Sequence, residues 1–230
     1  LESSKHGVAC FIADSIFSSD GIYQIPEGFL KNIYQEIRKH GGIVIADEVQ
    51  SGFGRLGDHM WGYQDDCVSP DILTMGKPMG NGHPVSALLT QRRIIDSLDE
   101  AYDGSAYFNT FGGNPVSAAA ALAVLDILKQ ENLVDQAKRV GGYLKTELEQ
   151  NLKGVECVKE IRGKGLFLGI ELDGPSAAAK IMEDMMHEGV LVGKTGPENN
   201  VIKLRPPMTF KMEHANLLLE KLSLCLEKTN

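Results

Sequence analysis

Short, unbroken apolar runs alternate with stretches of helical period along the first half of the chain. Residues 8–13, 43–46, 72–75 and 86–90 are such runs, each closed by turn residues. Runs without polar alternation predict strands covered on both faces. Between the first two, Phe29, Leu30, Ile33, Tyr34 and Ile37 recur at helical spacing after Pro26, and Gly41-Gly42 stops them, so 26–39 reads as a helix. An alanine-rich helix follows from Pro115 to about residue 130, and another covers 134–151. The pattern then changes to strands at 155–161, 166–172, 190–192 and 201–204, with helices at 175–187 and 212–227. The expected fold class is α/β: a mainly parallel sheet with helices on both faces, then a small α+β domain. The division falls near residue 131, giving segments 1–131 and 132–230.

A chain of 230 residues, 43% hydrophobic and 23% charged, has the composition of a soluble globular protein with a real core. Its formal net charge of -8 argues against a nucleic-acid footprint or a basic membrane patch, and for small molecules or protein as partners. No apolar run approaches the roughly 18 residues that span a bilayer, and no signal-peptide pattern opens the chain, so the cytoplasm is expected. Cys10, Cys67, Cys157 and Cys225 are far apart and form no C-x-x-C pair. They read as buried free thiols of a reducing compartment.

The segment IVIADEVQSGFGR, residues 43–55, ends an apolar strand on two acids, Asp47 and Glu48. Ligands of open α/β sheets sit beyond the carboxyl ends of the strands, so this is a ligand-facing rim. Lys77 lies just past the next run, between Gly76 and Pro78, and two adjacent strands bring Asp47 and Lys77 to the same rim. The pair is either an ion pair or two handles on one cofactor. Asp47 with Glu48 as half of a metal site is a further reading, weakened because no His or additional acid lies at short ligand spacing.

Here the residues resemble a known family. ADEVQSGFGR, MGKPMGNGHP and FNTFGGNP, in this order, look like the cofactor motifs of class III aminotransferases, fold-type I enzymes that use pyridoxal phosphate. The resemblance runs through KLRPPM and is nearest the subgroup of alanine-glyoxylate aminotransferase relatives and phospho-lyases. It implies a Schiff base on Lys77, Asp47 holding the pyridine nitrogen protonated, and Val49 and Gln50 against the ring face and phenolic oxygen. It also implies that Thr110 binds the cofactor phosphate of a neighbouring subunit, hence a homodimer with a shared active site. A hydroxyl beside glycines and a helix start near Pro115 suits an anion, because free backbone N–H groups and the helix dipole point there. Plainer readings stay open: a solvated loop lysine at 77, strand-end packing for Val49 and Gln50, and a turn hydroxyl at 110.

Lys203 stands where many members carry a carboxylate-clamping arginine, with Arg205 two residues on. Lysine is a point donor without the planar bidentate grip, so a substrate lacking an α-carboxylate becomes more plausible unless Arg205 substitutes. Asp14-Ser15 likewise replaces the family's Glu-Pro. Arg55 and its neighbouring glycines are expected to shape a turn, His83 to bond backbone within a turn, and Arg162 to begin a structural turn between strands. The implied function is an aminotransferase moving an amino group from an amine or amino acid to a keto acid or aldehyde. Alternatives are a phospho-lyase acting on a phosphorylated amine such as phosphoethanolamine, and a non-catalytic scaffold. Members of the family are about double this length, and their N-terminal half carries the phosphate cup and a ring-stacking aromatic. This chain therefore reads as a C-terminal half, inactive alone, with exposed strand edges and an exposed apolar face.

Overall fold

The structure is a computed structural model that describes residues 7–104 and 107–227. The first sheet has the order β1 (Cys10–Asp14), β2 (Ile43–Asp47), β3 (Ile72–Met75), β4 (Ala87–Thr90). The first three strands are parallel, whereas β4 runs antiparallel to β3. The sheet is mainly parallel, as expected, and β4 is its one antiparallel strand among the described residues for a physical reason. Parallel pairing needs a crossover of a dozen or more residues, usually a helix. Here β3 is followed only by a single 3₁₀ turn, Lys77–Met79, and a glycine-rich loop.

Helix α1 (Phe29–Lys39) buries Leu30, Tyr34 and Ile37 against Val44 of β2. It starts later than the position of Pro26 suggested, because its N-terminal cap comes from elsewhere. The Asp66 carboxylate accepts from the N–H groups of Gly28 (2.9 Å), Leu30 (2.8 Å) and Lys31 (3.3 Å). This satisfies donors that Gly28, lacking a side chain, leaves open. Helix α2 (Arg92–Ala101) has no counterpart in the sequence reading, although Ile94, Ile95, Leu98 and Ala101 recur at helical spacing; none of its residues is buried in this chain.

Helices α3 (Pro115–Gln130) and α4 (Leu133–Asn151) lead into an antiparallel sheet of order β5-β6-β8-β7. Its strands are β5 (Val158–Lys164), β6 (Phe167–Leu172), β7 (Gly193–Thr195) and β8 (Val201–Leu204). Helices α5 (Pro175–His187) and α6 (Met212–Glu227) complete this part. Val140, Leu144 and Leu148 of α4, Ile181 and Met185 of α5 and Leu222 of α6 close over Leu168, Ile170 and Leu204 in one buried cluster. Each fully buried aliphatic side chain of this kind contributes roughly 1.5–3 kcal/mol. The strand expected at 190–192 lies instead at Gly193–Thr195, where the register Gly193–Lys203 and Thr195–Val201 is set by a turn with Gly196 and Asn199 at positive φ. Arg162 sits inside β5 rather than at a turn. The four cysteines form no disulfide, but only Cys157 and Cys225 are buried; Cys10 and Cys67 are exposed, which corrects the expectation for those two.

Arg55 does more than shape its turn. Its Nη1 donates to the carbonyls of Leu166 (3.0 Å) and Pro206 (2.8 Å), and its own carbonyl accepts from Leu166 N (2.9 Å). The two sheets are thus clamped together by a buried guanidinium, whose pKa burial, assisted by nearby Arg205, lowers to about 10. Gly165 is required at this junction: it has φ +56°, and a Cβ there would stand 2.5 Å from the Arg55 carbonyl oxygen. A second tie is Asp58, which pairs with Lys138 of α4 and Lys164 of β5, each at 2.7 Å. Those lysines hold its carboxyl at about 2, below the ordinary 3.8. A depressed acid contributes stability that is complete above about pH 4 and is lost as pH falls toward 2. Asp58→Asn should therefore lower stability at neutral pH by about 1 kcal/mol. Urea unfolding should show that deficit shrinking toward zero near pH 2.

Candidate active site

Strand β2 ends on Asp47, whose register neighbours are Asp14 on β1 and Thr74 on β3. The Oδ1 of Asp47 accepts from Val49 N (3.1 Å) and Thr74 Oγ1 (3.3 Å). Its Oδ2 has no chain partner among the described residues. Lys77 leaves the same carboxyl rim, three positions beyond Thr74 on β3. It is exposed, makes no hydrogen bond or ion pair among the described residues, and holds φ +30°. A lysine in that region stores strain of order 1 kcal/mol and persists only where the surroundings enforce it. The Met79 N–H bond to Gly76 O (2.8 Å) closes the turn that holds it, and Val49 lies beside Gly76.

Glu48 answers for the second acid. Neighbouring strand-end residues point to opposite sides, and Glu48 turns inward to complete burial. Its Oε1 accepts from Ser15 Oγ (2.5 Å) and Tyr63 N (2.9 Å), and its Oε2 from Ser51 Oγ (2.8 Å) and Gly62 N (2.9 Å). Burial raises its pKa while these four donors pull it down. Ser15, where the family has proline, thus supplies a bond to this carboxylate. Glu48→Gln should destabilise by about 2–3 kcal/mol, because its amide must aim an N–H at a backbone N–H that cannot rotate away. Serine hydroxyls can reorient to suit an amide, whereas Gly62 N and Tyr63 N cannot. A chemical-denaturation midpoint equal to that of the unaltered protein would contradict this account.

Gln50 lies between the two sheets. Its Nε2 donates to Ser18 Oγ (2.6 Å), and its Oε1 accepts from Arg205 Nη1 (2.6 Å). Lys203, on β8, has glycine as register neighbour on both sides, Gly169 on β6 and Gly193 on β7. Burial first, then the charges of Arg205 and Lys77, lower its pKa. Among the described residues it has no acid partner. Lys203 and Arg205 also border a cavity of about 480 Å³ with residues 190–193, Pro206 and Pro207. The strand reading of 190–192 had hidden this wall.

Thr110 makes no hydrogen bond with Asp47 or Lys77 among the described residues. It is exposed within a segment where Tyr107, Phe108 and Phe111 are 81%, 86% and 81% accessible. That segment and residues 84–86 face a groove of about 630 Å³ at the start of α3. Asn114 caps α3 by accepting from Ser117 N (2.9 Å), and His83 Nε2 meets Ser117 Oγ at 2.8 Å. The partner of His83 is thus a side chain rather than the expected backbone. Arg162, read as structural, is buried: its Nε donates to Gly21 O (2.8 Å), its Nη1 pairs with Glu160 and Glu171, and it lies 3.9 Å over the Tyr23 ring. Sequence reasoning missed Ser18, which is only 2% exposed; its FSSDG setting reads as an ordinary polar turn.

With this geometry in place, comparison with known proteins is decisive. The description "Aminotransferase class-III" matches residues 1–226. The chain belongs to the class III aminotransferase family. It is 44% identical over 230 residues to an alanine–glyoxylate aminotransferase 2-like protein of Drosophila melanogaster, covering 96% of this chain and 46% of that one. It is 42% identical over 221 residues to ethanolamine-phosphate phospho-lyase homolog 1 of Caenorhabditis elegans, covering 91% and 47%. The solved structure of a phospholyase from Arthrobacter in complex with phosphoethanolamine superposes with a TM-score of 0.92 at 45% identity, over 99% of this chain and 55% of that one. The class III chain described here spans about half the length of the curated relatives it matches.

Proposed function

We propose that this chain carries the lysine side of a pyridoxal-phosphate site. In the complete protein, that site moves an amino group from an amine or amino acid to a keto acid or aldehyde. The observation that carries this reading is the rim itself: at the carboxyl ends of neighbouring parallel strands stand a carboxylate with one oxygen open and a lysine, neither partnered there among the described residues. Those groups fit the cofactor, one end of which needs an anion beside its ring nitrogen and the other an amine. When bound, pyridoxal phosphate supplies an electron sink for the charge left when a substrate's α-proton departs. Lys77 would provide the attachment amine and the base that takes and returns the substrate's proton. Asp47 would hold a proton on the ring nitrogen, Val49 would lie against the ring face, and Gln50 would donate to the phenolic oxygen.

Thr110 completes the phosphate contacts of a second copy across a homodimer, a reading supported by the exposed aromatic segment around it. The cytoplasm remains the proposed compartment, supported by four cysteines that form no disulfide with one another. A division near residue 131 into a cofactor-binding part and a small C-terminal part belongs to the same reading, supported by the separate buried cluster formed by residues 137–226.

A second reading, a phospho-lyase releasing phosphate from a phosphorylated amine, is favoured by Lys203, a half-buried cation with no acid partner among the described residues. The complete protein should be incubated with phosphoethanolamine, and separately with an amino donor and a keto acid, while phosphate and transferred amine are measured. Borohydride reduction and mass mapping should place a pyridoxyl adduct on Lys77. An unmodified Lys77 with neither product formed overturns both readings.

A further inference from the structure

Four side chains from separate parts of the chain form one polarised line across the rim. The Asp14 carboxylate, at the end of β1, accepts from Ile16 N (2.8 Å), Ser18 N (3.0 Å) and the Ser18 hydroxyl. Ser18 Oγ in turn accepts from Gln50 Nε2 (2.6 Å), and Gln50 Oε1 accepts from Arg205 Nη1 (2.6 Å). Each end fixes the direction of every bond. A carboxylate only accepts and a guanidinium only donates, so the hydroxyl proton must go to Asp14 and the amide carbonyl must face Arg205. Gln50 is therefore held in one of its two amide orientations, with one N–H of Nε2 on Ser18 and the other uncommitted among the described residues. The flipped amide would set its carbonyl against a hydroxyl whose proton is already engaged, and its NH₂ against a guanidinium.

We infer that Ser18 and Arg205 are positioning residues that hold Gln50 as a hydrogen-bond donor to the cofactor's phenolic oxygen. This rests on the pyridoxal-phosphate reading above. It gives Arg205 a task other than gripping substrate, and it leaves Lys203 as the cation available to an anionic substrate group. It also gives the shortened acid a rationale: Ser18 spans the distance between Asp14 and Gln50.

The test uses the complete protein loaded with pyridoxal phosphate, and reads the pH midpoint of the visible absorption of the Lys77-bound cofactor. A donor to the phenolic oxygen withdraws negative charge that otherwise retains the neighbouring imine proton, so losing that donor raises the midpoint. Ser18→Ala and Arg205→Met should each raise it by up to about one pH unit, while Ser18→Thr, which keeps the hydroxyl, should stay at the original value. Asp47 and Lys203 are kept in all three variants, whereas Arg205→Met also removes a cation beside Lys203 and would raise the midpoint by that route too, so the Ser18 variants decide the test. In a Gln50→Ala background, Ser18→Ala should add no further shift, because its effect passes through Gln50. An unchanged midpoint in Ser18→Ala, or an equal shift with Gln50 already removed, overturns the inference. Borohydride mapping of Lys77 in each variant separates that outcome from failure of the cofactor reading, which would appear as no adduct even in the unaltered protein.

Discussion

Replacing Lys77 by alanine in the complete protein is expected to lower turnover at least roughly a thousandfold, because the attachment amine and the proton-carrying base are lost together. Lys77→Arg should fare no better: a guanidinium stays protonated and supplies neither a nucleophile nor a base. The fold should survive both changes, since Lys77 is exposed and makes no bond to the described chain. Alanine even keeps the demand for φ +30°, so any loss of stability is limited to that strained backbone, of order 1 kcal/mol. Three measurements separate chemistry from folding: single-turnover rates, the urea midpoint, and the pyridoxyl adduct after borohydride. Lost turnover, a retained midpoint and a vanished adduct are expected together. Turnover persisting within tenfold of the original would remove Lys77 from the mechanism.

Much of this arrangement was legible because its signals are local. The runs ending at Ala46 and Met75 announce parallel strands, and a strand end is where a ligand-facing acid belongs. Asp47 and Lys77 followed from that placement. What the pattern hid was long-range. Asp66 caps a helix start 38 residues away, so local capping signals placed the helix start too early. Glu48 reads as a partner to Asp47 until its four donors, drawn from Ser15, Ser51, Gly62 and Tyr63, turn it into an internal fastener. Ser18 is invisible to any periodicity, since what matters is the direction of one hydroxyl between two distant side chains. Helix α2 was legible but not read: Ile94, Ile95, Leu98 and Ala101 recur at helical spacing. Its Ile95 and Leu98, Leu88 and Leu89 on β4, and Leu122 and Leu125 on α3 are all large apolar side chains left exposed in this chain.

Asp47→Asn isolates electrostatics from shape. A carboxylate at ~3 Å from a pyridinium, with an effective dielectric of ~20, contributes at most about 5 kcal/mol, equivalent to roughly four pKa units. Asparagine keeps an Oδ1 to accept from Val49 N and Thr74 Oγ1, so the strand end and its register should be unchanged. What reverses is the other atom. Where Asp47 presents an open acceptor oxygen, asparagine presents an NH₂ that donates to an unprotonated ring nitrogen and so favours the wrong protonation state. Turnover should therefore fall roughly 100- to 1000-fold, about 3–4 kcal/mol of barrier. The urea midpoint should hold, and Lys77 should still be labelled by borohydride. The contrast with Lys77→Ala is the informative part: one variant loses both adduct and turnover, the other keeps the adduct and loses turnover. Were Asp47→Asn to retain turnover within a few-fold, the carboxylate would be an ordinary strand-end residue and the ring nitrogen would need a different partner.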